Sequence, residues 1–480
     1  MIKETKLNYI NKNEINLVSM SVVDDIGILF TWEDRLFRAI KEDAVDKVKD
    51  MFDCGMIHEL IKNNLFPDSW ITNYKINGYG LVIEHTKIKF ASYPYEWTFS
   101  MLKDATLTIL KVNIITSKYD YHTKDCHSFN VVFDGLQPKF VDLGSFVRMK
   151  SKPNGWIAYE QFLKSYYYPL KIWSSGSSFI ARSIVANESS FISHSEYLLY
   201  KSFLMRYLPL SFLNKLTSLY FKYRRLSFIS YTTLRKRLPG IFGSFIWSLK
   251  EKNLLPFQSV KFASLINKIE KIPKKKVKSR WSTYHNEFYT NNGKLKSTHR
   301  FNRIVDIISM YNIRSVVELG GNQGVLSKIL LESGNIEHAV CTDYDEDAVD
   351  LMYVSSKNSK IKSLIPVLLN CIFPITVSMG KPAYERFQAD VVISLALTHH
   401  LLLSEKLRID FVLDTISKYS KKYVLIEFMP LGLWDGKSAP PLPQWYTLDW
   451  FRSSFQNYFN IISEDQLEEN RILFFGELVD

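Results

Sequence analysis

Residues 316–324 read Val-Val-Glu-Leu-Gly-Gly-Asn-Gln-Gly, residue types and a spacing suited to a turn that binds a ligand with its backbone. Two β-branched residues end an apolar run, Glu318 follows, and Gly320, Gly321 and Gly324 lead into a helix-patterned stretch. Glycine is needed where the chain takes positive φ or where a ligand approaches bare backbone. The helix start that follows adds unpaired N–H groups and partial positive charge. The spacing Glu-x-Gly-x-x-x-Gly is not the dinucleotide pattern Gly-x-Gly-x-x-Gly. Asp343, 19 residues past Gly324, ends the next apolar run, where a carboxylate can accept from both hydroxyls of a ribose edge. Thr398-His399-His400 then supplies two imidazoles, the side chain best matched to taking a proton from a hydroxyl near neutral pH. The competing reading is that one histidine caps a turn and the other fills space. Glu427 closes a further apolar run, as a lining of an acceptor pocket or as an ordinary strand-end acid.

These residues need a scaffold that brings them to one edge. Helical spacing over Val325–Leu331 stops near Gly334, a candidate C-cap. His338–Asp343 reads as the second strand, and Asp345, Glu346 and Asp347 suit the start of the next helix. A third strand is expected over Ser363–Leu369, with Asn370 at its end in position to face a nucleobase. The run Ala389–Leu397 suits a parallel strand buried on both faces and holds Ser394; Tyr423–Phe428 gives the fifth. Phe459–Ile462 and Arg471–Glu477 fit a closing antiparallel pair. This rhythm predicts a doubly wound α/β sheet, with Glu318, Asp343, Ser394 and Glu427 along its carboxyl edge.

The pattern resembles class I S-adenosylmethionine-dependent methyltransferases. That resemblance implies a Rossmann-like sheet over residues 281–480 and S-adenosyl-L-methionine as cofactor. It implies that Glu318, Gly320, Gly321, Asn322, Gly324, Asp343, Asn370 and Ser394 surround the cofactor, with His399, His400 and Glu427 on the acceptor side. The Asx-Pro-Pro-aromatic tetrad of many amino-group methyltransferases does not follow the fourth strand. Its absence turns the expectation toward oxygen as acceptor.

The first 272 residues carry a second pattern. Lys124-Asp125-Cys126-His127-Ser128-Phe129-Asn130 precedes Val131–Phe133, a turn at Asp134-Gly135, and Phe140-Val141-Asp142-Leu143-Gly144. An aspartate, an asparagine five residues on, a hairpin and an Asp-x-Gly resemble the catalytic and metal-binding loops of protein-kinase-like folds. In that family the first Asp accepts the substrate hydroxyl's proton, while the Asn and second Asp hold Mg²⁺; the matching positions are Asp125, Asn130 and Asp142. A helix from Trp97 to about Ile115 and a hinge at Ser92–Glu96 would accompany them. Thr123 replaces the usual loop histidine, and no Gly-rich phosphate loop or Ala-x-Lys strand precedes it, leaving Arg35 and Arg38 as the nearest cations. An α+β domain, kinase-like but degenerate, is therefore expected over 1–272, its helical part at about 151–272. The phrases Ser92–Trp97, Trp156–Phe162 and Leu395–Leu401 also resemble bacterial two-part methyltransferases associated with nodulation factors and surface polysaccharides. That resemblance implies polysaccharide biosynthesis and a glycan-type acceptor.

With 480 residues, 46% hydrophobic and 23% charged, the chain is long enough for two or three domains with full cores. Cys54, Cys126, Cys341 and Cys371 are dispersed without a Cys-x-x-Cys, which disfavours a disulfide framework or a structural zinc site and fits a reducing cytoplasm. No signal core opens the sequence and no apolar run is long enough to span a bilayer. The net charge of +12 admits nucleic acid, anionic lipid or a phosphorylated glycan as partner. An RNA methyltransferase gripping its substrate with the first half is thus an alternative, as is a bifunctional kinase or pseudokinase joined to a methyltransferase. Residues 273–280, rich in lysine, read as a solvated linker. The apolar-basic stretch from Arg206 to Leu226 reads either as a helix on its own domain or as one lying on the inner face of a membrane.

Overall fold

The computed structural model describes residues 8–18, 24–149, 156–187, 191–202, 208–225, 261–275, 298–359, 361, 363–376, 380–434 and 436–479. Residues 276–280 of the linker and most of 226–297 lie outside them. In the amino-terminal half, β1 (Asn16–Leu17), β2 (Gly27–Trp32), β3 (Arg35–Ile40), β4 (Ser69–Ile71) and β5 (Leu81–His85) form one antiparallel sheet in the order β1-β2-β3-β5-β4. β2 and β3 turn through Glu33 and Asp34, both at positive φ (50° and 58°), the backbone a two-residue hairpin needs. Side chains alternate across the sheet: Phe30, Phe37, Ala39 and Val82 make a small outer cluster, while Ile40, Leu81 and Ile83 join the main core. Between β3 and β4 lie α1 (Val45–Asp53) and α2 (Met56–Lys62). α3 (Phe99–Thr116) is buried around most of its circumference, which is why no polar stripe marks it in sequence. β6 (Tyr121–Thr123), the hairpin β7 (Val131–Asp134)–β8 (Gln137–Phe140) and β9 (Phe146–Arg148) follow.

Helices fill the described part of the expected helical region: α4 (159–174, with a π-helical middle), α5 (Ser178–Val185), α6 (His194–Lys201), α7 (Leu210–Arg225) and α8 (Phe262–Glu270). α7 leaves Leu210, Phe212, Leu216 and Leu219 exposed. Among the described residues no helix is long and apolar enough to cross a membrane.

In the carboxyl-terminal half, α9 (His299–Met310) precedes β10 (Ser315–Leu319), α10 (Val325–Glu332), β11 (His338–Asp343), α11 (Glu346–Lys357), β12 (Leu364–Leu368), α12 (Ala383–Arg386), β13 (Ala389–Ser394), α13 (Ile409–Ser417), β14 (Ser420–Phe428), α14 (Leu448–Gln456), β15 (Phe459–Glu468) and β16 (Arg471–Leu478). The seven strands run β12-β11-β10-β13-β14-β16-β15, the first five parallel and β16 antiparallel to both neighbours. The expected α/β sheet and its closing pair are therefore present. Neighbouring residues feed opposite cores: Val317, Val340, Val392 and Val424 pack on one face, Val316, Ala339, Val391 and Leu425 on the other. Such double burial makes parallel strands read as unbroken apolar runs.

The two halves are packed together rather than strung. Arg386 of α12 pairs with Glu96, both almost wholly buried, donates to the Ala91 carbonyl at 2.8 Å and lies over the Tyr93 ring. The 92–96 segment expected as a hinge is thus a staple between halves. The linker is likewise docked where it is described: Lys274 reaches Asp347 at 2.7 Å and Asp350 at 3.1 Å, so this lysine is paired and only partly exposed. Removing one partner of a buried ion pair leaves the other uncompensated. Arg386→Ala is expected to lower unfolding free energy by about 3–5 kcal/mol, read as an earlier midpoint in chemical denaturation.

Candidate functional site

β10 hands the chain into a loop with three left-handed residues, Gly320 (φ 73°), Asn322 (52°) and Gly324 (68°). Gly321 is needed for a different reason: a Cβ there would lie 2.4 Å from Cys341 Sγ and 2.7 Å from the Glu318 carboxyl carbon. The loop therefore lies directly on the acid. Glu318 is buried, and its Oε2 accepts from the Ser327 amide (3.2 Å) and hydroxyl (2.5 Å). It stands in for a cap on α10, whose own N-cap Gly324 offers no side chain. Burial pushes its pKa up to about 7.

The tip of β11 closes over this loop. Asp343 Oδ2 accepts from the Asn322 amide (2.8 Å), and Oδ1 accepts from the Asp345 amide (2.8 Å). Each oxygen keeps a lone pair for a further donor. Burial raises the Asp343 pKa to about 6. Asp345 is the N-cap of α11, accepting from the amides of Asp347 and Ala348, and Glu346 and Asp347 fall in its first turn. Register sets Leu319 beside both Thr342 and Ser394, and Asp343 beside Leu368, so all these tips share one edge. Asn370 leaves that edge with its Oδ1 accepting from the Ile372 and Phe373 amides, an Asx turn that orients the following loop. Ser394 Oγ is buried and meets no hydrogen-bond partner among the described residues.

After β13 the chain turns sharply at Ala396 (φ 48°), a conformation a non-glycine residue holds only under restraint. Glu427 supplies the restraint. Its Oε2 accepts from the Ala396 amide (3.0 Å) and Arg471 (2.8 Å), its Oε1 pairs with Arg300 (3.4 Å), and its carbonyl accepts from Thr398 Oγ1 (2.8 Å). With both oxygens engaged and no exposure, Glu427 positions the loop and is not an open base. Arg300 and Arg471 did not stand out in the sequence, because nothing local ties either to Glu427. His399 is buried, its Nδ1 lacks a partner among the described residues, and its ring lies 4.1 Å from that of His400. Burial, His400 and Arg471 push the His399 pKa down to about 3. It is neutral throughout the working range, and too weak a base to hold a proton there.

The other candidates meet in the amino-terminal half. Asn130 Nδ2 lies 3.4 Å from Asp142 Oδ2, which also accepts from Ser145 Oγ, while Asp142 Oδ1 accepts from the Gly144 amide (3.0 Å). Asp125 accepts from the His127 amide (3.3 Å) and borders a cavity of roughly 490 Å³ with Lys124, Ile157, Gln161, Lys164 and Phe191. Neither expected cation is open: Arg35 holds Glu84 (2.8 Å) and Arg38 holds Asp24. A cation missed in sequence, Lys47 of α1, lies half-buried beside Asp25 and Asp142 and reaches the Gly144 carbonyl at 3.4 Å. Kinase chemistry places a lysine on the third strand and a glutamate on the following helix; here Arg38 and Lys47 occupy β3 and α1. Asp142 thus accepts from three neighbours, and no group of three or more His, Cys, Asp or Glu among the described residues is arranged for a metal ion.

Over 445 residues the chain is 24% identical to nodulation protein NoeA of Rhizobium meliloti (strain 1021), spanning 86% of this chain and 85% of that one. Solved structures overlap part of it. Magnesium protoporphyrin IX methyltransferase (ChlM) of Synechocystis PCC 6803 with bound SAH is 14% identical, over 38% of this chain and 82% of its own, at a TM-score of 0.30. N-methyltransferase NodS of Bradyrhizobium japonicum WM9 is 11% identical, over 38% and 98%, at 0.28. The PH0226 protein of Pyrococcus horikoshii OT3 is 17% identical, over 41% and 98%, at 0.31. No family model matches the chain.

The raised Glu318 pKa has a signed consequence. The folded state holds the proton more tightly than the unfolded chain, so this group lowers stability progressively as pH rises from 4.5 to about 7, and not further above it. Glu318→Gln, which keeps an acceptor for Ser327, should gain in melting temperature relative to the parent across that window. A difference independent of pH would remove the buried acid as its cause.

Proposed function

We propose that this protein is an S-adenosylmethionine-dependent methyltransferase that methylates an oxygen of a sugar or glycan-linked phosphate. The observation that carries the reading is the tie between Asp343 and the Asn322 amide: it sets a half-buried carboxylate with spare lone pairs against a glycine-rich turn at the carboxyl edge of the sheet. The residues suit that cofactor. Asp343 can accept from ribose hydroxyls, and the buried Ser394 hydroxyl and His399 nitrogen are polar groups still wanting partners at this edge. When bound, the cofactor supplies a sulfonium methyl, an electrophile that needs a nucleophilic lone pair aligned behind it.

The chain's own residues provide alignment and proton handling. His399, held neutral, orients an acceptor hydroxyl by hydrogen bonding. His400, its ring tilted against that of His399 and less buried, is the group assigned to receive the proton released as the acceptor oxygen is methylated. Glu427 with Arg300 and Arg471 keeps the 396–400 loop in its strained turn, so neither histidine has to be reorganised during reaction. The oxygen preference rests on these imidazoles, and the glycan class on the NoeA relative, a nodulation protein.

In the same reading the amino-terminal half is a degenerate kinase-like domain serving acceptor binding or scaffolding. The meeting of Asn130 with Asp142 supports the likeness, and the pairing of the nearby cations Arg38 and Lys124 with Asp24 and Asp25 supports its degeneracy.

Calorimetry on the full chain should show S-adenosylmethionine binding that Asp343→Ala weakens by about 1–3 kcal/mol. His400→Ala should leave that binding intact while lowering methyl transfer by about 10²–10⁴-fold, followed by isotopic methyl in a cell extract. An unchanged dissociation constant in Asp343→Ala would take this carboxylate out of the site. For the amino-terminal half, Mg-ATP should produce no thermal shift; a shift abolished by Asp142→Asn would restore a nucleotide site.

A further inference from the structure

α11 starts three residues after Asp343 and is packed on two sides. Val349 and Met352 face its own sheet, whereas Asp350, Tyr353 and Lys357, spaced three and four apart, face the amino-terminal half. Asp350 accepts from the Ser100 amide (2.9 Å) and hydroxyl (3.0 Å), so a carboxylate of one half completes the N-terminus of α3 in the other. The Tyr353 ring is fully buried in the amino-terminal core, edge-on to Phe133, with its hydroxyl donating to Asp104 at 2.6 Å. The first turn is gripped as well: Trp173 Nε1 donates to Glu346 Oε1 at 2.6 Å, and Lys274 pairs with Asp347 and Asp350. The Arg182 guanidinium stands 5.9 Å from the ring of Tyr344, the residue after Asp343.

This grip bears on the site. The Asp343 carboxylate is oriented by the Asp345 amide, and Asp345 in turn caps the turn that Glu346 and Asp347 begin. Three residues of the amino-terminal half, Ser100, Trp173 and Arg182, and Lys274 of the linker thus contact the stretch 344–350 that aims Asp343.

We propose that the amino-terminal half is a working part of the cofactor site: through Trp173 and Ser100, with Lys274 of the linker, it fixes the start of α11 and so sets how well Asp343 binds the ribose hydroxyls. The inference rests on the methyltransferase reading and adds that the binding unit is the whole chain, with Trp173 and Glu346 as positioning residues. Linkage requires the converse, that bound cofactor tightens the contact between halves.

Calorimetry on the full-length chain with S-adenosylhomocysteine tests it. Glu346→Ala deletes the acceptor for Trp173 and should raise the dissociation constant about fivefold, the effect of one positioned hydrogen bond. Glu346→Gln, which keeps an acceptor oxygen, should stay within about twofold of the parent. Trp173→Phe, which keeps most of the ring packing but not the N–H, should match Glu346→Ala and serves if that variant does not fold. On an Asp343→Ala background Glu346→Ala should add nothing, because the carboxylate it positions is gone. A parent-like constant in folded Glu346→Ala or Trp173→Phe overturns the proposal, as does an additive loss in the double variant, which would put Glu346 on the ligand itself. If the parent binds no S-adenosylhomocysteine, the function and this inference fall together; if the parent binds and the variants bind equally, only the inference falls.

Discussion

Most of this architecture depends on a helix that belongs to two cores at once. α11 sends Met352 into the packing of its own sheet and Tyr353, the next residue, into the core of the amino-terminal half. A tyrosine with no exposure cannot be released without uncovering a large apolar ring and leaving a hydroxyl without its aspartate. The halves are therefore not independent beads on a linker. The staple of Arg386 on Glu96 works in the same sense at another point of the contact, and Lys274 draws the end of the first half onto α11. A fragment holding only the second half would expose this face of α11.

Around the proposed site, charge is handled by burial in two opposite ways. Glu427 has no exposure and is compensated by two arginines and a backbone amide, so it serves as a fixed anchor. Glu318 and Asp343 are met mainly by hydrogen bonds from backbone and hydroxyl donors, and burial moves both toward neutrality. His399 is driven the other way, to a permanently neutral ring. One edge of one sheet thus holds an anchored anion, two titratable acids and a neutral imidazole. The difference lies in partners, since all four groups are largely removed from water.

In the amino-terminal half, charged side chains close in the fold are consumed by partners that the local sequence does not announce. Asn130 Nδ2 lies 3.4 Å from Asp142 Oδ2. The cations do not follow the pattern: Arg38 is held by Asp24, Lys124 by Asp25, and Lys47 enters from a helix. Sequence reasoning looked for a cation on a strand and so passed over Lys47, whose only signal is a lysine one turn into α1.

The sequence by itself determined the strands of the carboxyl-terminal sheet, the glycine turn, the position of Asp343 at a strand tip and the acidic start of the helix that follows it. These follow from apolar runs, glycine and capping spacing, which act within a few residues of chain. The tertiary structure alone decided which charged groups are open and which are consumed. Glu427 could be read as a pocket acid or an ordinary strand-end acid until Arg300, 127 residues away, and Arg471, 44 residues away, were brought onto it. Lys274 looked solvated until α11 received it, and His399 looked like a base until its surroundings removed water. A side chain's partners and its pKa depend on atoms within a few ångströms, and in a packed fold those atoms come from residues that no local pattern links.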